Sequence, residues 1–154
     1  MREGRSPHQI GKKGKSHHRW IVGGQLCFVL NQWGLVCAWD CATAHVHDAH
    51  FHPLIAEFVE TMVVLTDTGF HAQTGDPANM KVCQRGSWNG RRLVETIFSL
   101  LTTVFHCKKV RQRVGEYFRA RVAWTMAAFN LLAQWGLEVD DNNFIHLSIA
   151  EFSL

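Results

Sequence analysis

The chain has 154 residues, 47% of them hydrophobic and 19% charged, with six Trp and ten Phe, which suits one globular domain with a sizeable core and excludes a disordered polyelectrolyte. A net charge of +3 is too small to argue for nucleic acid by itself, so the distribution of charge must carry that point. Five Cys without a Cys-x2-Cys pair, no signal peptide and apolar runs well short of ~18 residues point to reduced thiols in a cytoplasmic protein with no membrane span.

Residues 1–19 form a basic segment in which Arg2, Arg5, Lys12, Lys13, Lys15 and Arg19 face a single acid, Glu3. Its Gly and Pro content and lack of apolar periodicity predict a flexible arm. Such an arm can contact phosphates in a salt-dependent way or be a solvated tail. Trp20 to Leu30 reads as a strand whose Gly pair suggests a bulge or a close backbone approach, Asn31 to Gly34 as a hairpin turn, and Leu35 to Cys41 as the returning strand.

Between Ala44 and Glu60, His45, His47, His50 and His52 surround Asp48. Imidazoles are good metal ligands, yet these positions fall on no single helical or strand face and no Cys or Glu completes a zinc pattern. The expectation is a helix over Phe51, Leu54, Ile55, Phe58 and Val59, capped by Asp48, with surface His. Met62 to Leu65 then reads as a buried strand that runs into Asp67-Thr68-Gly69, and an Asp at the carboxyl end of such a strand is well placed for a metal site.

After a loop, His71 to Ala78, and a short strand, Met80 to Cys83, the stretch Ser87 to Phe105 is an amphipathic helix. Leu93, Ile97, Leu100, Leu101 and Val104 make its core stripe, with Arg91, Glu95, Ser99 and Thr102 opposite. An Arg91 to Glu95 ion pair on a solvated face is the plainer account of that pattern. Arg85, Arg91 and Arg92 around Trp88 suit a DNA end, through phosphate forks and base stacking, although Trp88 is equally fit as a hydrophobic staple. Tyr117, Phe118, Arg121, Trp124, Thr125, Ala128 and Leu132 predict one packing face on a second long helix that Gly136 stops.

Taken in order, Asp67-Thr68-Gly69-Phe70, Trp88-x2-Arg91-x3-Glu95, the strand of Lys15 through Val22 and the helix entry Thr43 to Asp48 resemble the insertion-sequence transposases, whose Asp, Asp, Glu metal triad stands on a ribonuclease H-like fold. The likeness runs from about Gly11 to Trp135. It implies an α/β fold, a ribonuclease H-like mixed sheet flanked by helices and lacking its first strand, with a basic arm at 1–19, a partial core at 20–136 and a C-terminal tail at 137–154. It also implies Asp67 and Glu95 as catalytic metal ligands for two Mg2+ or Mn2+ ions, transposon-end DNA and a possible homodimer as partners, and DNA contacts from Lys12, Lys13, Lys15, Arg85, Trp88, Arg91 and Arg92. Two departures stand out. Thr102 occupies the place of the family's Lys, seven along from Glu95. The family's first catalytic Asp belongs on a strand ahead of the basic segment, and Asp40 and Asp48 come too late in the order to supply it. An upstream-encoded segment could supply that Asp in a longer product. The alternatives are a non-catalytic DNA-binding fragment and an inactive relic of a mobile element.

Overall fold

A computed structural model describes residues 9–16, 19–83, 90–107 and 111–135. The protein is mixed α/β. Its elements are β1 (Lys12–Ser16), β2 (Arg19–Leu30), β3 (Val36–Thr43), a 3-10 turn (Asp48–Phe51), α1 (His52–Ala56), β4 (Val64–Thr66), a second 3-10 turn (Thr68–Phe70), β5 (Met80–Val82), α2 (Gly90–Thr103) and α3 (Gly115–Trp135). They divide into two compact units. Of the described residues, the first holds 11–16, 19–29 and 38–83, and the second 9–10, 30–37, 90–107 and 111–135.

The described strands make a three-stranded sheet in the order β1-β2-β3 and a two-stranded sheet of β4 and β5, rather than one mixed sheet. Lys12–Ser16, expected to belong to a flexible arm, is a strand antiparallel to β2, with Lys12 opposite Gly23 and Ser16 opposite Arg19. Backbone pairing overrides the composition here, and the lysines suit an edge strand, where charge discourages further pairing. Of the Gly pair in β2, Gly23 makes no close backbone approach, and one is found in β1. A β-carbon on Gly23 would meet nothing within 4 Å, whereas one on Gly14 would lie 1.9 Å from the Ala44 carbonyl oxygen. The hairpin between β2 and β3 forms at the expected place. Asn31 Oδ1 accepts from the N–H groups of Trp33 at 3.0 Å and Leu35 at 2.9 Å, and Gly34 takes a left-handed φ of 81°.

The helix expected to run to Val59 ends at Ala56, and Asp48 does not cap it. His47 caps the preceding 3-10 turn, its Nδ1 accepting from the Ala49 N–H. Pro53 is tolerated because it lies in the first turn. Beyond Ala56 the Phe58, Val59 and Thr61 amides bond three residues back, which tightens the chain into turns. Phe51, Leu54 and Ile55 are the buried side chains of this stretch.

β4 and β5 are parallel, with Val64 opposite Met80 and Thr66 opposite Val82. Each has only three residues, and Val63 and Leu65 are exposed, so the fully buried strand predicted from the apolar run is not what forms. A two-stranded sheet has too few neighbours to cover both faces.

In the second unit the α2 stripe is as predicted at its centre, where Ile97, Leu100 and Leu101 are buried. The buried side of α3 is Phe118, Val122, Thr125, Met126, Phe129 and Ala133, so Tyr117, Trp124 and Leu132 of the predicted face are exposed instead. α3 is apolar on two sides, and the pattern alone does not say which one the core takes. Phe129 meets Phe105 edge to face, with ring centroids 6.3 Å apart. Asn130 of α3 clasps Val36 of β3: its Oδ1 accepts from the Val36 N–H at 2.9 Å, and its Nδ2 donates to the Val36 carbonyl at 2.8 Å. No described helix is long and apolar enough to cross a membrane.

Candidate carboxylate site at the end of β4

Asp67 follows β4 directly and caps the 3-10 turn Thr68–Phe70, its Oδ1 accepting from the Gly69 N–H at 2.9 Å. This is an Asx turn, and it holds the carboxylate at the carboxyl end of a parallel strand, as the sequence predicted. Gly69 also marks where a second carboxylate comes in. A β-carbon there would lie 2.7 Å from Asp48 Oδ2 and 3.1 Å from Asp67 Oδ1, so these two oxygens are within about 6 Å of each other, close enough for appreciable repulsion. Gly at this position leaves the space that both carboxylates use.

Asp48 reaches this place from the other 3-10 turn, and Gln25 of β2 donates from Nε2 to its Oδ1. Burial raises the Asp48 pKa first and the negative charge of Asp67 second, against the lowering effects of the Gln25 hydrogen bond and of His47. Cys27 lies two residues from Gln25 on the same face of β2. Its thiol is pushed up to about 12, by burial and then by Asp48 and Asp40. It is therefore an inert thiol in an acid-lined setting. Asp40 Oδ1 accepts from the Cys41 N–H at 2.8 Å.

No known protein family, curated protein or solved structure matches the chain. The site therefore has to be judged on its own geometry. Of the expected catalytic pair, Asp67 belongs to the first unit and Glu95 to the second, where it is an exposed residue of α2. The neighbour that the structure gives Asp67 is Asp48, a residue read from sequence only as a helix cap. The signal that could have found it is weak, an acid followed by His and Pro within a short turn.

The expected DNA contacts fare unevenly. Lys12 and Lys13 are exposed on β1, with Lys13 Nζ 4.7 Å from the centre of the Trp20 ring. Arg92 is exposed on α2, and its carbonyl accepts from the Thr96 hydroxyl at 2.9 Å. Lys15 and Arg91 are described in their backbone only, and Arg85, Trp88 and the tail at 137–154 lie outside the described residues.

The histidines of the dense cluster go separate ways. His45 Nδ1 is 2.6 Å from the Thr43 hydroxyl, His47 caps its turn, and His52 Nε2 is 2.6 Å from the Phe70 carbonyl. His71, outside that cluster, bonds Asp76 at 2.7 Å. The Asp76 carboxyl is held below its usual range by the Ala72 N–H first and His71 second. Among the described residues no three His, Cys, Asp or Glu side chains come together as a metal-binding group. Asp48 and Asp67 alone offer hard oxygen donors for one hydrated divalent cation, an arrangement typical of Mg2+, which keeps several of its waters.

Proposed function

We propose that the chain is a transposase-type catalytic domain on a ribonuclease H-like fold, with Asp67 as a ligand of Mg2+ or Mn2+. The observation that carries this reading is the position of Asp67, fixed by an Asx turn at the carboxyl end of a parallel strand with a second carboxylate beside it. In the family to which the sequence is similar, the bound metal activates water or a 3′-hydroxyl and stabilises the leaving oxygen of an in-line phosphoryl transfer on DNA. The residues of this chain have narrower tasks. Asp67 offers its remaining oxygen to the cation, Asp48 adds negative charge, and Gln25 holds the Asp48 carboxylate in place. Glu95, the other ligand that the resemblance implies, is an exposed residue of α2 in the second unit. Asp67 and Glu95 are the two acidic positions of the family that the resemblance matches in this sequence.

Titrating the full chain with Mn2+, followed by the loss of the free-ion electron paramagnetic signal, tests the site. Saturable binding of one ion that is lost in Asp67→Asn and tightens as pH rises through the titration of Asp48 is the expected result. Binding that is indifferent to Asp67→Asn removes the metal assignment, and Mn2+-dependent nicking by the purified chain, abolished in Asp67→Ala, would show that it is active alone.

The exposed Lys12 and Lys13, on a strand with an aromatic ring beside them, favour a second reading, that of a non-catalytic DNA-binding protein. DNA affinity that falls steeply with salt and ignores Mg2+ would select it over the first.

A further inference from the structure

The exposed side of α3 has a regular spacing of its own. Tyr117, Arg121, Trp124, Ala128, Leu131 and Trp135 follow one another at intervals of four, three, four, three and four, the repeat that keeps one seam of a helix facing a partner helix. Four of the six are large and turned to solvent: Tyr117 is 66% exposed, Trp124 77%, Leu131 59% and Trp135 82%. From Ala120 to Trp135 the only charged residue is Arg121. An exposed face so poor in charge and rich in Trp marks an interaction surface rather than a solvated one.

We infer that this face of α3 is the interface of a homodimer, in which α3 of one copy packs antiparallel on α3 of a second copy. The seam complements itself in that orientation. With the two-fold axis at Met126, each Trp124 lies over Ala128 of the other copy, large on small, and this happens twice at the centre. At both ends Tyr117 meets Trp135 of the other copy, an aromatic pair. A parallel pairing would instead set Trp124 against Trp124 and leave Ala128 facing Ala128, so shape chooses the antiparallel form. The four large side chains expose on the order of 600 Å² per copy at the usual size of such residues, so a dimer covers about 1,200 Å², the lower end of specific interfaces. That area suits a dimer that assembles in the micromolar range. This inference rests on α3 alone and is independent of the reading of Asp67.

Sedimentation equilibrium of the full chain, with a protomer mass of 17.6 kDa, tests it across low to high micromolar concentration. The expected species at the upper end is a dimer. Trp124→Glu, at a position the fold does not bury, leaves the far-ultraviolet helix signal unchanged and weakens association at least 100-fold; Trp124→Ala serves in its place if the charge upsets folding. The register has its own test, because exchanging large and small in the same layers, Trp124→Ala with Ala128→Trp, restores the dimer that Trp124→Ala alone loses. A chain that is monomeric throughout, with the seam covered by its own residues or kept for another partner, overturns the inference. So does a dimer indifferent to the Trp124 variants, and so does failure of the exchange to restore association.

Discussion

Asn130 spans the second unit by closing both hydrogen-bonding groups of one peptide residue, Val36, from a position 94 residues away. Asn130→Ala leaves the Val36 N–H and C=O without those partners, and Val36 is buried. A buried backbone group stranded in this way costs about 1–3 kcal/mol, so two would cost about 2–6 kcal/mol. Asn130 is only half-buried, so water can enter the vacated space and reach part of the way to both groups. The expected loss is therefore about 2–4 kcal/mol, toward the lower part of that range. Urea unfolding followed by tryptophan emission reads this directly. With a slope of about 2 kcal/mol per molar, the midpoint should fall by about 1–2 M at unchanged slope. Asn130→Asp sharpens the test, because its carboxylate can still accept from the Val36 N–H but repels the Val36 carbonyl. When protonated it regains a donor. Its stability should therefore recover as the solution is acidified through the usual carboxylate range, whereas that of Asn130→Ala should not. A midpoint shift below about 0.25 M for Asn130→Ala would mean that the clasp holds nothing that water cannot hold as well, and the reasoning fails.

Two further outcomes follow from close contacts and from burial. Gly14→Ala places a β-carbon 1.9 Å from backbone that cannot swing aside, so β1 must shift or detach from β2. Hydrogen exchange at Lys12 to Ser16 should accelerate at least tenfold in that variant, and unchanged protection would refute the placement of β1 under Ala44. Alkylation at pH 8 should mark the exposed Cys37 long before Cys27, whose thiol is pushed up to about 12 and stays protonated, and mass mapping that finds Cys27 labelled first would contradict the acid-lined setting around it.

The elements legible in the sequence are those whose pattern has one solution. The centre of α2 is one: Ile97, Leu100 and Leu101 lie on a single apolar side, and all three are buried. The turn at Asn31 to Gly34 and the placing of Asp67 just beyond β4 are local and were readable for the same reason. The packing face of α3 is legible only in part, at Phe118 and Thr125, because the helix has two apolar sides, and burial of Val122, Met126 and Phe129 rather than Tyr117 and Trp124 is a tertiary choice that helical spacing does not encode. β1 is not legible because all five of its residues are Lys, Gly or Ser, and nothing in that composition announces a strand whose partner provides the order. At the candidate site Asp67 was legible and its neighbour was not. Asp48 reaches it across α1, and the Gln25 side chain that holds Asp48 comes from a different sheet, so no motif within one segment joins the three.

β4 has a single described neighbour, β5, and parallel pairing turns the backbone groups of Val64 and Thr66 toward it, which directs the Leu65 N–H and carbonyl toward the other edge. An edge that is open among the described residues, with exposed Val63 and Leu65 beside it, has the makings of an aggregation nucleus. The sequence brackets that run with two acids, Glu60 on one side and Asp67 on the other, in the manner of gatekeepers. Asp67 is therefore expected to protect the solubility of the chain, and this role separates by substitution from the proposed one as a ligand. Asp67→Asn removes the charge and with it the protection, whereas Asp67→Glu keeps the protection and displaces the ligand atom.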